Sequence, residues 1–212
     1  MYKDIKFVSA DEAVKVVKSG DHIHFSSVAS APKVLIDALC RRGDAGELRD
    51  VRIHHLHTEG EAPYTDAPYE GVLFHQAFSV GGNVRKSVQA GYADYIPIFL
   101  SETQKLYRSG AVPCNVAMVQ VSPPDKHGYV SLGTSVDATL AAIECAEYVI
   151  AVVNKHVPRA FGDAMEKLNS RGLSSVIREA VRRKIPLLGI CLGLQLLFEA
   201  SEESPGVDGL SV

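Results

Sequence analysis

Long apolar runs are missing from this sequence. No stretch of the 212 residues approaches the roughly 18 to 20 uninterrupted apolar residues that a helix needs to span a bilayer. The first residues, MYKDIKFVSADEAV, carry charges where a signal peptide has its apolar segment. We therefore expect no membrane association and a cytosolic location.

An excess of charge of one sign is also missing. Lys and Arg together number 22 and Asp and Glu number 25, which gives a formal net charge of -3 at pH 7. A nucleic acid is therefore not an expected partner, because its binding depends on clustered positive charge. The composition, 46% hydrophobic and 22% charged, excludes a disordered chain and is typical of a globular protein.

Cysteine is sparse, and no two cysteines form a C-x-x-C pair. The four are Cys40, Cys114, Cys145 and Cys191. This spacing argues against a zinc site and against a disulfide framework. His55 and His57 would share one face of a strand, but no cysteine or carboxylate lies at a usual ligand spacing from them. We predict no metal site.

Strand-like and helix-like segments alternate along the chain. This pattern predicts an α/β protein with three layers, in which helices cover both faces of a mostly parallel sheet of six to eight strands. The last three strands are nearly continuous apolar runs, and we expect them to form the centre of the sheet. The predicted strands are Asp21–Ser26, Val51–His57, Val72–Phe78, Tyr95–Leu100, Val116–Val121, Tyr148–Val153 and Leu187–Ile190.

Two loops are candidate ligand sites. The turn from Ser122 to Gly128 follows an apolar strand, and open α/β sheets bind ligands beyond the carboxyl ends of their strands. Gly81 and Gly82 precede a predicted helix, where free N–H groups could hold a phosphate, although glycine there is more often only a turn residue. The candidate binding residues of the first loop are Ser122, Pro124, Asp125, His127 and Gly128.

Cys191 is a candidate nucleophile. It follows an apolar strand and lies between Gly189 and Gly193, with a predicted helix starting at Leu194. Small neighbours allow the sharp turn of a nucleophile elbow, in which Gly189, Leu192 and Gly193 surround the cysteine and the helix dipole favours its thiolate. The alternative is a buried structural cysteine. A catalytic thiolate also needs a base, and no histidine follows Cys191 in this sequence.

Around Cys191, the C-terminal part of the sequence contains four distinctive motifs: Phe161–Met165, Arg171–Leu173, Pro186–Glu199 and Glu202–Leu210. In these motifs, residues from about 161 to 212 resemble the glutaminase subunit of imidazole glycerol phosphate synthase, a class I glutamine amidotransferase. The resemblance implies that Cys191 corresponds to the cysteine that attacks the glutamine side chain. It also implies that the histidine and glutamate partners belong to a segment downstream of the elbow, which this sequence does not contain.

The family's oxyanion loop, P-G-V-G, aligns with Val157-Pro158-Arg159-Ala160. Proline has no N–H group and the glycines are missing, so an oxyanion donor is lost. Losing one such donor typically costs on the order of 100 to 1000-fold in rate. We expect Cys191 to be a vestigial nucleophile.

A set of motifs is spread over the first 160 or so residues: Ser9–Val14, Lys18–Asp21, Ala90–Pro97, Phe99–Glu102, Val121–Gly128, Ser131–Gly133, Asp137, Asn154, Val157–Pro158 and Phe161–Ala164. In these motifs, residues 1 to about 160 resemble the N-terminal domain of the acetyl-CoA hydrolase/transferases, notably the 4-hydroxybutyrate CoA-transferases. The resemblance implies that the Ser122–Gly128 turn lines the CoA and acyl side of a transferase cleft. It also implies that members transfer coenzyme A through a thioester on a glutamate, which belongs to the C-terminal half of the family and is absent from this sequence.

The two resemblances meet at Phe161–Ala164, and we infer a recombined chain. Its first segment would be residues 1–160, and residues 161–212 would continue the same sheet. We expect an incomplete CoA-transferase-like scaffold without turnover, with no required cofactor and with coenzyme A or an acyl-CoA as the ligand it could bind. The alternatives are a glutaminase that uses Cys191, or CoA transfer completed by a partner chain. Apolar faces that lost their partners could also pair two copies of the chain.

Overall fold

The structure is a computed structural model and describes residues 8–123 and 130–160. All of the described helices and strands belong to one compact unit, which ends at Val157. The predicted helix over Gly162–Arg183 and the predicted strand Leu187–Ile190 lie outside the described residues. The division of the chain near residue 160 stays a prediction.

The described unit is built on six strands, and every neighbouring pair is parallel. Their order across the sheet is β4-β3-β2-β1-β5-β6. The predicted α/β class with a parallel sheet is therefore confirmed. The strands are β1 (His22–Phe25), β2 (Val51–His55), β3 (Leu73–Ala77), β4 (Ala93–Tyr95), β5 (Val116–Val121) and β6 (Tyr148–Val153).

The described residues include five α-helices, of which the first precedes β1 and the other four lie in connections between strands. The Ser9 hydroxyl accepts a hydrogen bond from the Glu12 N–H at 3.2 Å, which is the N-cap that the sequence predicts for the first helix. Within the described ranges, no helix has both the length and the apolar character that crossing a bilayer requires. The helices are α1 (Ala10–Ala13), α2 (Lys33–Asp44), α3 (Arg85–Ala90), α4 (Thr103–Arg108) and α5 (Thr139–Cys145).

Hydrophobic side chains pack on both faces of the sheet, because successive residues of a strand point to opposite faces. Ile23 and Phe25 of β1 belong to one cluster, which includes Leu39 of α2. Ala117 and Val119 of β5 belong to a second cluster with residues of α4 and α5. The structure therefore has the predicted helix, sheet and helix layers.

Of the three apolar strands that the sequence places at the centre of the sheet, the structure describes Val116–Val121 and Tyr148–Val153, and the prediction holds for the first of these two. β5 is buried and lies beside β1, but β6 is the last strand in the described order. Tyr148 and Val149 of β6 are each 47% exposed, whereas the sequence predicted a strand buried on both faces. An apolar run indicates that its residues favour burial, but it does not specify which helices or strands cover them.

Candidate functional site

The carboxyl edge of the sheet has a topological switch point between β1 and β5. The chain places β2, β3 and β4 successively on one side of β1 and then places β5 on its other side. The loops that leave β1 and β5 therefore diverge, and ligands of open α/β sheets bind in the crevice between such loops. In this molecule the two loops begin at Ser26 and Ser122.

Ser122, a predicted site residue, is fully buried at the end of β5. Its N–H donates to the Ser131 carbonyl oxygen at 2.9 Å, and its hydroxyl accepts from the Ser131 N–H at 2.9 Å. These two hydrogen bonds join the two ends of the segment that contains the predicted ligand-binding turn, Ser122–Gly128. Four other predicted residues of this turn, Pro124, Asp125, His127 and Gly128, lie outside the described residues, and their roles stay predictions.

The loop after β1 is fixed to both of its neighbours. The Ser26 N–H donates to the Met118 carbonyl oxygen of β5 at 3.1 Å, and the Val28 N–H donates to the His57 carbonyl oxygen at 2.7 Å. Val28 has a φ of 50°, a conformation that costs a β-branched residue strain. The Ser30 hydroxyl lies 3.5 Å from the Leu132 carbonyl oxygen. The backbone of this loop is therefore held at the mouth of the crevice.

Gly81 and Gly82 lie at the same edge, in the loop after β3. A Cβ atom on Gly81 would lie 2.9 Å from Asn83 Oδ1 and 3.3 Å from His57 Cβ, so a side chain there would displace Asn83 and press on the β2 loop. Asn83 Nδ2 donates to the Gly60 carbonyl oxygen at 2.9 Å. The following helix begins only at Arg85 and has six residues. Phosphate binding by these glycines stays a prediction.

Buried serines are the main feature of the crevice that the sequence reasoning missed. Ser122 was selected, but five other serines with at most 9% exposure lie in the loops that follow β1 and β5. The signal was present as Ser26-Ser27-x-x-Ser30 directly after a strand. These missed residues are Ser26, Ser27, Ser30, Ser131 and Ser135.

Ser26 is chemically the most informative of them. Ser26 is 1% exposed, and its hydroxyl has no hydrogen-bond partner among the described residues. A buried hydroxyl without a partner costs about 1–3 kcal/mol, so such groups are usually satisfied by another molecule or serve a function. Ser26 lies at the end of β1, at the edge of the sheet where ligands of open α/β folds bind, and the protein encloses its hydroxyl in this structure.

A hydrogen-bonded chain connects the second loop to the core. Thr139 Oγ1 donates to Asp137 Oδ1 at 3.2 Å, and His24 Nε2 lies 3.0 Å from Thr139 Oγ1. Because Thr139 donates to Asp137, it accepts from the Nε2–H of His24, which leaves His24 Nδ1 to accept from Tyr107 at 3.0 Å. Burial lowers the pKa of His24 to about 4, which keeps the ring neutral near pH 7.

Histidines are concentrated on β1, β2 and β3. His22 Nδ1 lies 2.9 Å from His54 Nε2, and His55 stacks on His75. Burial, followed by the charge of His22, lowers the pKa of His54 to about 3. Among residues 8–123 and 130–160, no group of three or more His, Cys, Asp or Glu side chains is placed to hold a metal ion.

The nucleophile elbow lies outside the part of the chain that the structure describes. Cys191, Gly189, Leu192 and Gly193 all belong to residues 161–212. The strained turn, the helix at its end and the absence of a base beside the Cys191 sulfur stay predictions from the sequence.

Comparison with known proteins finds one family over most of the chain. The model of the acetyl-CoA hydrolase/transferase N-terminal domain matches residues 2–182. The succinyl-CoA:acetate/propanoyl-CoA:succinate CoA transferase of Fasciola hepatica is 42% identical over 156 residues, which cover 74% of this chain and 32% of that protein. The 4-hydroxybutyrate coenzyme A transferase of Clostridium kluyveri is 38% identical over 164 residues, 77% of this chain and 38% of its own. The chain thus spans about a third of the length of these relatives.

A solved structure and a second group of proteins complete the comparison. RipA from Yersinia pestis superposes with a TM-score of 0.67 at 25% identity, over 74% of this chain and 38% of RipA. Imidazole glycerol phosphate synthase subunit HisH of Moorella thermoacetica matches the C-terminal part, with 58% identity over 53 residues, a quarter of each chain. One sequence therefore carries segments similar to two different kinds of enzyme.

Proposed function

The chain belongs to the acetyl-CoA hydrolase/transferase N-terminal domain family, and from that membership we propose that it binds a coenzyme A thioester at the carboxyl edge of its sheet. The observation that carries this proposal is the set of buried serine hydroxyls at the switch point between β1 and β5. The named relatives act on succinyl-CoA and on 4-hydroxybutyrate as CoA transferases.

The hydroxyl groups at the carboxyl edge of the sheet could donate hydrogen bonds to an acyl group. Ser26 brings a hydroxyl without a partner among the described residues, and the bonds of Val28 and Ser122 fix the loops on either side. A neutral donor can bind the thioester carbonyl oxygen without the cost of burying a charge. The described residues would therefore orient the acyl group in one wall of a binding cleft.

We propose that this chain binds the thioester without transferring the coenzyme A. A thioester exchange needs a nucleophile that attacks the carbonyl carbon. The resemblance to the CoA-transferases implies that this nucleophile is a glutamate in the C-terminal half of the family. In the loops after β1 and β5, the described residues include one carboxylate, that of Asp137, and it accepts hydrogen bonds from the N–H and the hydroxyl of Thr139. The described wall supplies neutral hydroxyls for binding, and a nucleophile would come from another part of an assembly.

Isothermal titration of the 212-residue chain with acetyl-CoA tests the binding. We expect a saturable heat, and we expect Ser26→Ala to weaken the affinity roughly fivefold, as the loss of one hydrogen bond of about 1 kcal/mol would. Ser109→Ala, an exposed serine at the end of α4, is the matched control and should bind as the wild type does. No heat with acetyl-CoA or with coenzyme A contradicts the proposal.

The proposed lack of turnover has its own assay. The chain is incubated with acetyl-CoA and succinate, and succinyl-CoA and free coenzyme A are separated by chromatography. We expect product to form at the rate of the buffer blank. Product formation at an enzyme-like rate contradicts this part of the proposal and leaves the binding result unaffected.

The similarity to HisH favours a second candidate function, the hydrolysis of glutamine by Cys191. It is tested by the release of ammonia from glutamine in the wild type and in Cys191→Ser. A rate of ammonia release that exceeds the buffer blank and disappears in the variant would support this function, and a wild-type rate equal to the blank would contradict it.

A cytosolic location stays a proposal from the sequence alone.

A further inference from the structure

β6 forms an edge of the described sheet. It is the last strand in the order, and no strand in the described part of the chain pairs with its outer side. The Asn154 N–H, directly after β6, donates to the Val121 carbonyl oxygen of β5 at 2.9 Å. Because successive residues of a strand direct their backbone groups to opposite sides, every second residue before Asn154 also faces β5. The residues between them, whose N–H and C=O groups face outward, are Val149, Ala151 and Val153.

The side chains of these three outward-facing residues share one face of the sheet, and they are exposed there. Val149 is 47% exposed, Val153 is 41% exposed, and Ala151 is exposed as well. On the same face, Ala117 and Val119 of β5 pair with Val149 and Ala151 and pack in a buried cluster with residues of α5. The helix layer therefore covers β5 on this face, whereas the apolar residues of β6 remain in contact with solvent.

β6 has none of the features that usually prevent an edge strand from pairing. Its six residues, YVIAVV, include no charged residue and no proline. Protein edge strands are commonly kept short or carry charges or proline, which hinder the addition of a further strand. The opposite edge of the sheet has these features, because β4 has only three residues, one of them Asp94, and Pro97 follows it. β6 is therefore the edge that is better suited to accept another strand.

The sequence around β6 is complementary to itself. When a two-fold axis relates two antiparallel copies of a strand, one residue lies opposite its own counterpart. With Ala151 at that position, Val149 of each copy lies opposite Val153 of the other, so the outward-facing residues bond to each other. The same register places Glu147 of each copy opposite Lys155 of the other, and both of these side chains are exposed. Apolar contact and charge thus favour the same register.

We propose that β6 is the interface of a symmetric dimer, in which β6 of two copies of this chain pair in antiparallel orientation with Ala151 at the two-fold axis. A register centred on Ile150 would instead place Glu147 opposite the apolar Val153, so charge selects the centre at Ala151. The pairing closes the dimer, because each copy uses its β6 edge for the other. This interaction surface lies beyond the proposed function and is measured without any ligand.

Sedimentation equilibrium across a roughly hundredfold range of protein concentration tests the dimer. The chains carry Phe99→Ser and Leu100→Ser, because these two apolar side chains after β4 are exposed and could associate on their own. We expect the mass to rise from that of a monomer to that of a dimer and to stop there.

A charge at the two-fold axis should weaken the dimer. Ala151→Lys places two like charges opposite each other, and we expect the dissociation constant to rise roughly tenfold or more. Val34→Lys, which adds the same charge at a residue of α2 that is 52% exposed, is the matched control and should dimerise as its parent does. Both positions are exposed, and circular dichroism checks that each variant is folded.

A charge swap tests the register. Lys155→Glu places two carboxylates opposite each other at both ends of the paired strands, and we expect the dissociation constant to rise roughly fivefold. The double variant Glu147→Lys, Lys155→Glu restores opposite charges across the interface and should restore the affinity. A double variant that dimerises as poorly as Lys155→Glu would contradict this register. Should the double variant fail to fold, the amide exchange of the outward-facing residues still decides.

Amide exchange followed by NMR in concentrated solution examines the pairing residue by residue. The N–H groups of Val149 and Val153 face solvent in a monomer and donate to the second copy in the dimer. We expect both to exchange roughly tenfold or more slowly than in Ala151→Lys at the same concentration. The N–H groups of Ile150 and Val152 face β5 and should exchange equally slowly in the two proteins.

Three results would overturn the proposal. The first is a monomer at all concentrations, with rapid exchange at Val149 and Val153. The second is slow exchange at these two residues in a monomer, because another segment of the same chain would then cover the edge. The third is association that continues beyond the dimer although Phe99 and Leu100 are replaced, because the pairing of two β6 edges leaves no β6 edge for a third copy.

Discussion

Ser122 and Ser131 bond to each other twice across the turn that begins at the end of β5. The Ser122 N–H donates to the Ser131 carbonyl oxygen, and the Ser131 N–H donates to the Ser122 hydroxyl, each at 2.9 Å. Both residues have at most 9% exposure. The side chain of one residue therefore completes the backbone bonding of the other at the edge where we propose that the thioester binds.

The Ser122→Ala substitution tests this relationship. The alanine removes the hydroxyl that accepts from the Ser131 N–H in a buried position, and we expect the free energy of unfolding to fall by about 1–3 kcal/mol. Urea unfolding followed by circular dichroism measures it, with Ser109→Ala as the exposed control. Equal unfolding midpoints for the two variants would contradict the structural role of the Ser122 hydroxyl.

The Tyr107→Phe substitution tests the chain from the core to the second loop. Phenylalanine keeps the ring but leaves buried His24 Nδ1 without its donor, so we expect a loss of about 1–3 kcal/mol of stability. Tyr148→Phe removes a hydroxyl from a residue that is 47% exposed and should change stability by less than about 0.5 kcal/mol. Urea midpoints that fall equally in both variants would argue against the hydrogen bond as the cause.

The stability of the unit should fall in mild acid. The pKa values of His24, His54 and His75 are lowered to about 4, 3 and 4, chiefly by burial, so below pH 6.5 the unfolded chain binds protons that the folded chain does not. Between pH 6.5 and about pH 4, each such histidine reduces the free energy of unfolding by up to about 1.4 kcal/mol per pH unit. Urea titrations at pH 7.5, 6.0 and 5.0 measure this, and an unfolding free energy that stays constant to pH 5 would contradict it.

Self-association should depend on the exposed apolar side chains that follow β4. Phe99 is 78% exposed and Leu100 is 63% exposed. Apolar side chains exposed together on a surface favour association, so we expect the apparent mass in size-exclusion chromatography to rise with concentration. The double variant Phe99→Ser, Leu100→Ser should lower that mass, whereas Val34→Ser, a change at another exposed apolar residue, should not. A wild-type mass that is independent of concentration would contradict the expectation.

Much of the fold follows from the sequence, because the strands are short apolar or alternating runs. The predicted Val116–Val121 and Tyr148–Val153 match β5 and β6 residue for residue, and Val72–Phe78 exceeds β3 by one residue at each end. β4 is different: the prediction placed a strand over Tyr95–Leu100, and the structure has it over Ala93–Tyr95. Pro97, which has no N–H for a ladder, lies inside the predicted run and outside the observed strand.

The candidate site was harder to predict than the strands. The turn after β5 could be selected because a ligand crevice is expected at the end of a central strand, and Ser122 does lie at the switch point. Ser26 and Ser30 were missed because serine is common in loops, and only the order of the strands buries these two beside β5. The paired histidines were missed for a similar reason, since their stacking depends on the register of β2 and β3.

The most direct test of the account is a titration of the ¹⁵N-labelled chain with acetyl-CoA, followed by the backbone amide signals. We predict saturable shifts concentrated in the loops after β1 and β5, at Ser26, Ser27, Ser30, Ser122 and Ser131, with β4 unaffected. Spectra that do not change at saturating acetyl-CoA, or shifts that concentrate away from these loops, would contradict the claim that the carboxyl edge of this sheet binds a coenzyme A thioester.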